Sequence, residues 1–199
     1  YLTMLVKLGR SQDALSYARQ YPLGHDETLA LAQALQANGQ PNQAVDVAAA
    51  GLALPGQSYH LAHWLRDFAP EIGRPDIALN AARTVFAHSM SLENYEAVRA
   101  AAGPAWPSVK PELLQQLAAA HYGGEKIDIY LHEGMVDEAV AAVKSDAYVG
   151  YDTLRRVVEA AGPGYPDWAI QQCRRQTEQI MDAGKSQQYH YALDWLARA

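Results

Sequence analysis

Apolar residues return along this chain every three to four positions, in runs that end at glycine. Leu2, Leu5 and Val6 precede Gly9, and Leu29, Ala32 and Leu35 precede Gly39. Leu61, Trp64, Leu65, Phe68 and Ile72 precede Gly73, and Ile127, Tyr130 and Leu131 precede Gly134. That spacing puts each set on one face of an α-helix, because 3.6 residues make a turn. Five residues beyond each glycine stands an Ala followed by an aliphatic: Ala14-Leu15, Ala44-Val45, Ala78-Leu79, Ala139-Val140, and Ala169-Ile170 after Gly164. Gly103, with Ser108-Val109, is a degenerate copy. The glycine intervals are 30, 34, 30, 31 and 30 residues. A helix, a glycine free to turn left-handed, and a second helix whose small Ala permits close approach make a hairpin. A constant period of this size predicts an all-α fold, a right-handed α-solenoid of stacked antiparallel helix hairpins, tetratricopeptide-like, with a period of about 30–34 residues.

The same pattern predicts helices over 11–20, 26–38 with Asp26 as cap, 42–54, 58–72, from 75 onward, and 91–102 opened by Ser91. Gly103-Pro104-Ala105-Trp106-Pro107 reads as a stiff linker, echoed by Gly162-Pro163-Gly164-Tyr165-Pro166. Further helices are expected over 111–121, 125–133, from 136, 151–161, 167–183 and 186–199. The uninterrupted repeat argues for one domain over 1–199. The chain begins in mid-pattern, and Tyr189, Ala192, Leu193 and Leu196 still present an apolar stripe at the other end, so it reads as excised from a longer chain.

Composition narrows the class further. Hydrophobic residues make up 49% of the 199, which is ample for a core, and strand-like β-branched runs are missing. The net charge of −6 opposes a large electrostatic footprint on nucleic acid. The lone cysteine, Cys173, allows no internal disulfide and reads as a buried thiol. No apolar run approaches the roughly 18 residues of a membrane span, and the expected location is cytoplasmic.

Three constellations invite chemistry. His60, His63 and Asp67, spaced by three and four on one helix, project from one side as two imidazoles and a carboxylate, the donor set of a metal site. They lie about 130° from the apolar stripe, which makes a solvated polar face the competing reading. Gly184-Lys185-Ser186 matches the end of a phosphate-binding loop, but the earlier glycine is Gln179 and no strand precedes it. Arg155, Arg156, Arg174 and Arg175 make a basic strip if their helices face alike, against the alternative of ion pairs with carboxylates such as Glu159 and Glu178. No nucleophile motif or paired carboxylate stands out, so the chain is expected not to be an enzyme.

Near the C-terminus Pro166-Asp167-Trp168-Ala169-Ile170, Cys173, Ile180-Met181, Gly184-Lys185-Ser186, Tyr189, Ala192 and Trp195-Leu196 resemble the tail of bacterial proteins that carry a SWIM-type zinc finger near the N-terminus. The resemblance is specific over about residues 166–199. It implies that this chain is the helical scaffold of such a protein and that any zinc is held in the missing part, since the finger's Cys-x-Cys and Cys-x-His ligands are not in this sequence. The repeats depart from the tetratricopeptide consensus, lacking its Trp, Leu-Gly and Tyr spacing. The function expected is a non-enzymatic scaffold that binds a protein or peptide in its groove without a cofactor or membrane. Tyr, 12 of the 18 aromatic residues, supplies amphipathic contact area. The alternatives are a nucleic-acid-associated module using the Arg pairs and a metal-dependent enzyme at His60, His63 and Asp67.

Overall fold

Gly9, Gly39, Gly73 and Gly134 take φ of 75°, 74°, 74° and 70° in the computed structural model, the left-handed region that side chains disfavour. At each bend the residue after the glycine donates its N–H to a carbonyl five residues back: Arg10 to Leu5, Gln40 to Leu35, Arg74 to Ala69 and Met135 to Tyr130, at 2.8–3.0 Å. One backbone device therefore closes four hairpins. Gly164 departs from it. Its φ is not positive, and Tyr165 donates to Ala161 instead, because the Gly-Pro-Gly sequence offers another way to turn.

The structure describes residues 1–56, 58–120, 123–145, 149–184, 187 and 189–197, and among them the regular structure is helical. The helices are α1 (Leu2–Lys7), α2 (Ser11–Gln20), α3 (His25–Ala37), α4 (Pro41–Leu52), α5 (Tyr59–Phe68), α6 (Pro75–His88), α7 (Leu92–Ala102) and α8 (Trp106–Ala119). They continue as α9 (Gly123–His132), α10 (Val136–Ser145), α11 (Tyr151–Ala161), α12 (Pro166–Asp182) and α13 (Tyr189–Leu196). None is long and apolar enough to cross a membrane among the described residues.

Three local expectations are corrected. The helix expected to run to residue 72 changes at Ala69 to a 3₁₀ turn, Ala69–Ile72, because Pro70 has no N–H to give the α-ladder. The expected linker at residues 103–107 is a 3₁₀ turn, Gly103–Ala105, followed directly by the first turn of α8, where the missing N–H of Pro107 costs nothing. Pro111 then lies inside α8 rather than opening it. Asp26 does not cap α3. Glu27 reaches back to the Gly24 N–H at 3.1 Å, and Thr28 donates to the Gly24 carbonyl at 2.9 Å. Ser91 caps α7 as expected, accepting from the Asn94 N–H at 3.3 Å.

The chain divides into two compact units, residues 1–116 and 117–199. In the first, α3 packs on α1, α4 and α5, α5 on α6, and α6 on α7. Val6, Leu31, Leu35, Leu61 and Leu65 are fully buried there, so the stripes read from sequence do face inward. At Gly51 a side chain would stand 2.5 Å from Thr28 Cγ2, which shows how closely α3 and α4 approach. In the second unit α9, α10 and α11 pack together, α11 on α12 and α12 on α13. Cys173 and Trp195 are fully buried in its core beside Leu154 and Val158.

Several side-chain bonds between elements fall at separations of 28–30 residues, while Thr177 on α12 reaches the Ala192 carbonyl on α13 at 3.5 Å across only 15. In the first unit Arg74 donates to Asp46 at 3.0 Å, Arg66 to Asn94 at 3.5 Å, and Arg83 pairs with Glu112. Ser58 and His88 Nε2 lie 3.5 Å apart. In the second unit Arg156 donates to Asp128 at 2.5 Å and the Tyr165 hydroxyl to Asp137 at 2.7 Å.

Candidate interaction surfaces

Two of the concave surfaces of the first unit carry candidate features. One is a groove of about 450 Å³ between α2 and α4, lined by Leu15, Ala18, Leu23, Val47, Ala50 and Leu54. Its apolar character follows from α4, which carries two stripes: Ala44, Val45, Ala48 and Leu52 are buried in the core, while Val47 and Ala50 stay open on another side. A helix apolar on two sides has two faces to cover. Arg19 and Asp46 stand on the groove's rim. Asp46 is engaged by Arg74 at 3.0 Å, whereas Arg19 is in no ion pair with a described residue. Gln43 also lines the groove.

The second concavity lies between the start of α3 and α5, with His25, Asp26, Glu27, Tyr59, His60 and His88 on its walls. Tyr59 organises it by edge-on ring contacts, with centroids 5.7 Å from His60, 4.6 Å from His63 and 6.2 Å from His88. His25 Nε2 lies 3.2 Å from the Leu54 carbonyl. The polar groups of this cleft are thus largely turned to holding the protein's own backbone and rings.

The candidate metal residues part company here. His60 opens onto the cleft, His63 is half-buried against Tyr59, and Asp67 is held by Arg66 Nε at 2.7 Å. No three His, Cys, Asp or Glu side chains among the described residues converge so as to hold a metal ion. Burial lowers the pKa of His63 below the ordinary histidine value, and the Arg66 guanidinium adds to the effect against the opposing pull of Asp67 and Glu93. Its Nε2 is buried without a hydrogen-bond partner.

The four arginines differ in their partners. Arg155 lies 3.8 Å from both Asp152 and Glu159 along α11, and Arg156 reaches Asp128 on α9. Arg174 and Arg175 are exposed on α12 beside Asp167 and Glu178, with no ion pair to a described residue. Of the phosphate-loop match, Gly184 turns with φ of 64°, while Lys185 and Ser186 lie outside the described residues.

The α2–α4 groove escaped the candidates taken from sequence. The second stripe of α4, Val47 and Ala50, with Leu54 just beyond the helix, was the signal available for it. What the fold defines is an all-helical protein with paired helices in each unit. Comparison of the chain with protein-family models, with curated proteins and with solved structures finds no match.

Proposed function

We propose that the chain is a non-enzymatic helical-repeat scaffold, a right-handed tetratricopeptide-like α-solenoid, that mediates protein–protein interaction. The observation that carries this reading is the spacing of its inter-helix bonds. In a stack of repeats, equivalent helices of neighbouring repeats lie side by side, so a side chain meets one about a repeat away. Arg74–Asp46, Arg66–Asn94, Arg156–Asp128 and Tyr165–Asp137 are each 28 residues apart, close to the glycine period. Such stacks present extended surfaces to protein segments, and the groove beside α4 is an apolar one. Of the three candidate metal residues, Asp67 is engaged by Arg66 at 2.7 Å. On the resemblance of residues 166–199, the scaffold belongs to a cytoplasmic protein bearing a SWIM-type zinc finger elsewhere.

The test is direct binding by purified components. A partner captured on the longest natural form of the protein is purified, and its affinity for residues 1–199 is measured by calorimetry across a salt series. Binding by a protein that survives from 0.1 to 0.5 M salt is the expected result. Binding confined to nucleic acid, with affinity falling steeply as salt rises, overturns the proposal in favour of an arginine-based module.

A further inference from the structure

The groove between α2 and α4 limits what can fill it. We infer that it seats an amphipathic helix of about two to three turns from a partner protein, with an acidic residue of that helix meeting Arg19. This rests on the scaffold reading above and adds the form and charge of the ligand.

Three features of the groove carry the inference. Its long wall is the stripe of α4 from Gln43 through Val47 and Ala50 to Gly51, with Leu54 just past the helix end. At about 1.5 Å per residue, the helical part is about 12 Å long, or about two turns of a facing helix. The α4 side of the groove, from Gln43 to Ala50, is helical, with its backbone groups bonded within its own ladder. An extended peptide lying along that wall finds no main-chain partners in it, and each unmet N–H or C=O costs free energy. A helix brings its backbone already satisfied and offers only side chains, at i, i+3, i+4 and i+7.

Charge then sets the partner's sign. Asp46 on the rim is answered by Arg74, and Arg19 is answered by nothing described. Among the described residues the groove therefore offers one uncompensated cation, on a chain of net charge −6. A carboxylate at the edge of the incoming apolar face pairs with it, and a cation there is repelled. The volume of about 450 Å³ is within the usual range of specific pockets.

The probe is a display library of 16-residue peptides with Leu fixed at positions 3, 7, 10 and 14 and all other positions randomised, selected on the full chain. A second library, of the same composition with Leu at alternate positions, is selected in parallel. The expected result is enrichment from the first library alone, with an excess of Asp or Glu beside the Leu stripe. The selected peptides should lose about tenfold or more in affinity for Ala50→Arg and for Leu54→Ser. Both positions are exposed, so these variants keep the parent's helical circular dichroism. Arg19→Glu should weaken the acidic peptides by about threefold to fivefold and Arg19→Lys should not.

Peptides that bind the groove variants as well as the parent overturn this inference while leaving the scaffold reading intact. Enrichment from the alternating library does the same. No enrichment from either library counts against both. Competition by decanoate at equal affinity reassigns the groove to an acyl chain and also overturns it.

Discussion

Thr28 and Gly51 meet where α3 and α4 come closest, and the pair shows how single residues set the spacing of this fold. Alanine favours a helix over glycine by about 1 kcal/mol, so on propensity alone Gly51→Ala should stabilise α4. The added methyl would sit 2.5 Å from Thr28 Cγ2, however, and overpacking costs about 1–3 kcal/mol. We expect Gly51→Ala to lower the midpoint of urea unfolding, and Thr28→Ser in the same chain to restore part of the loss. A double-mutant cycle with no coupling between the two sites refutes the close approach. His63 is sensitive in another way. Burial and Arg66 lower its pKa, with His60 adding to them and with Asp67 and Glu93 opposing. Its stabilising contribution is thus present above pH 6.5 and is lost as pH falls toward the lowered value. His63→Gln, which does not titrate, should flatten the fall in melting temperature between pH 7 and pH 5, and a curve parallel to the parent's contradicts the assignment. Much at this scale was legible in sequence. The bend glycines declared themselves because the left-handed region suits few other residues, and Ser91 announced its cap. The α3 cap did not, since Asp26 and Glu27 are both plausible and only the entry path from Gly24 decides between them.

Among the elements, α13 has its main packing on α12. Ala192 and Trp195 hold it to the second unit, while Leu193 and Leu196 are 67% and 53% exposed. Elements with few buried contacts open first, so hydrogen exchange across α13 should run well ahead of exchange in α9 and α10. Equal protection in the three would show that α13 is bound more firmly than its burial indicates. Helix existence was legible almost throughout, because the 3.6-residue stripe is a property of each segment alone. Helix α8 was misjudged where proline was taken as punctuation. Pro107 falls in a first turn, where no N–H is needed, and Pro111 is tolerated beyond it. The α2–α4 groove was illegible for a different reason: a stripe shows that a face is apolar, and the packing of neighbouring helices decides whether that face is covered.

For the chain as a whole, the period was readable and the division at residues 116 and 117 was not. It falls within α8, five residues past Pro111, at a point where no Gly, Pro or change of composition stands. Inside each unit, the bonds from Arg74 to Asp46 and from Tyr165 to Asp137 tie a hairpin to the one before it rather than to distant parts of the chain. Such a connectivity has a mechanical consequence. Tension applied along a unit is carried by one hairpin junction after another, in series, instead of being shared by many strands in parallel. Each junction that yields releases about 30 residues, or about 100 Å of extended chain at roughly 3.5 Å per residue. We expect a unit pulled from its ends by force spectroscopy to lengthen in steps of that size and to recoil as neighbouring hairpins find one another again.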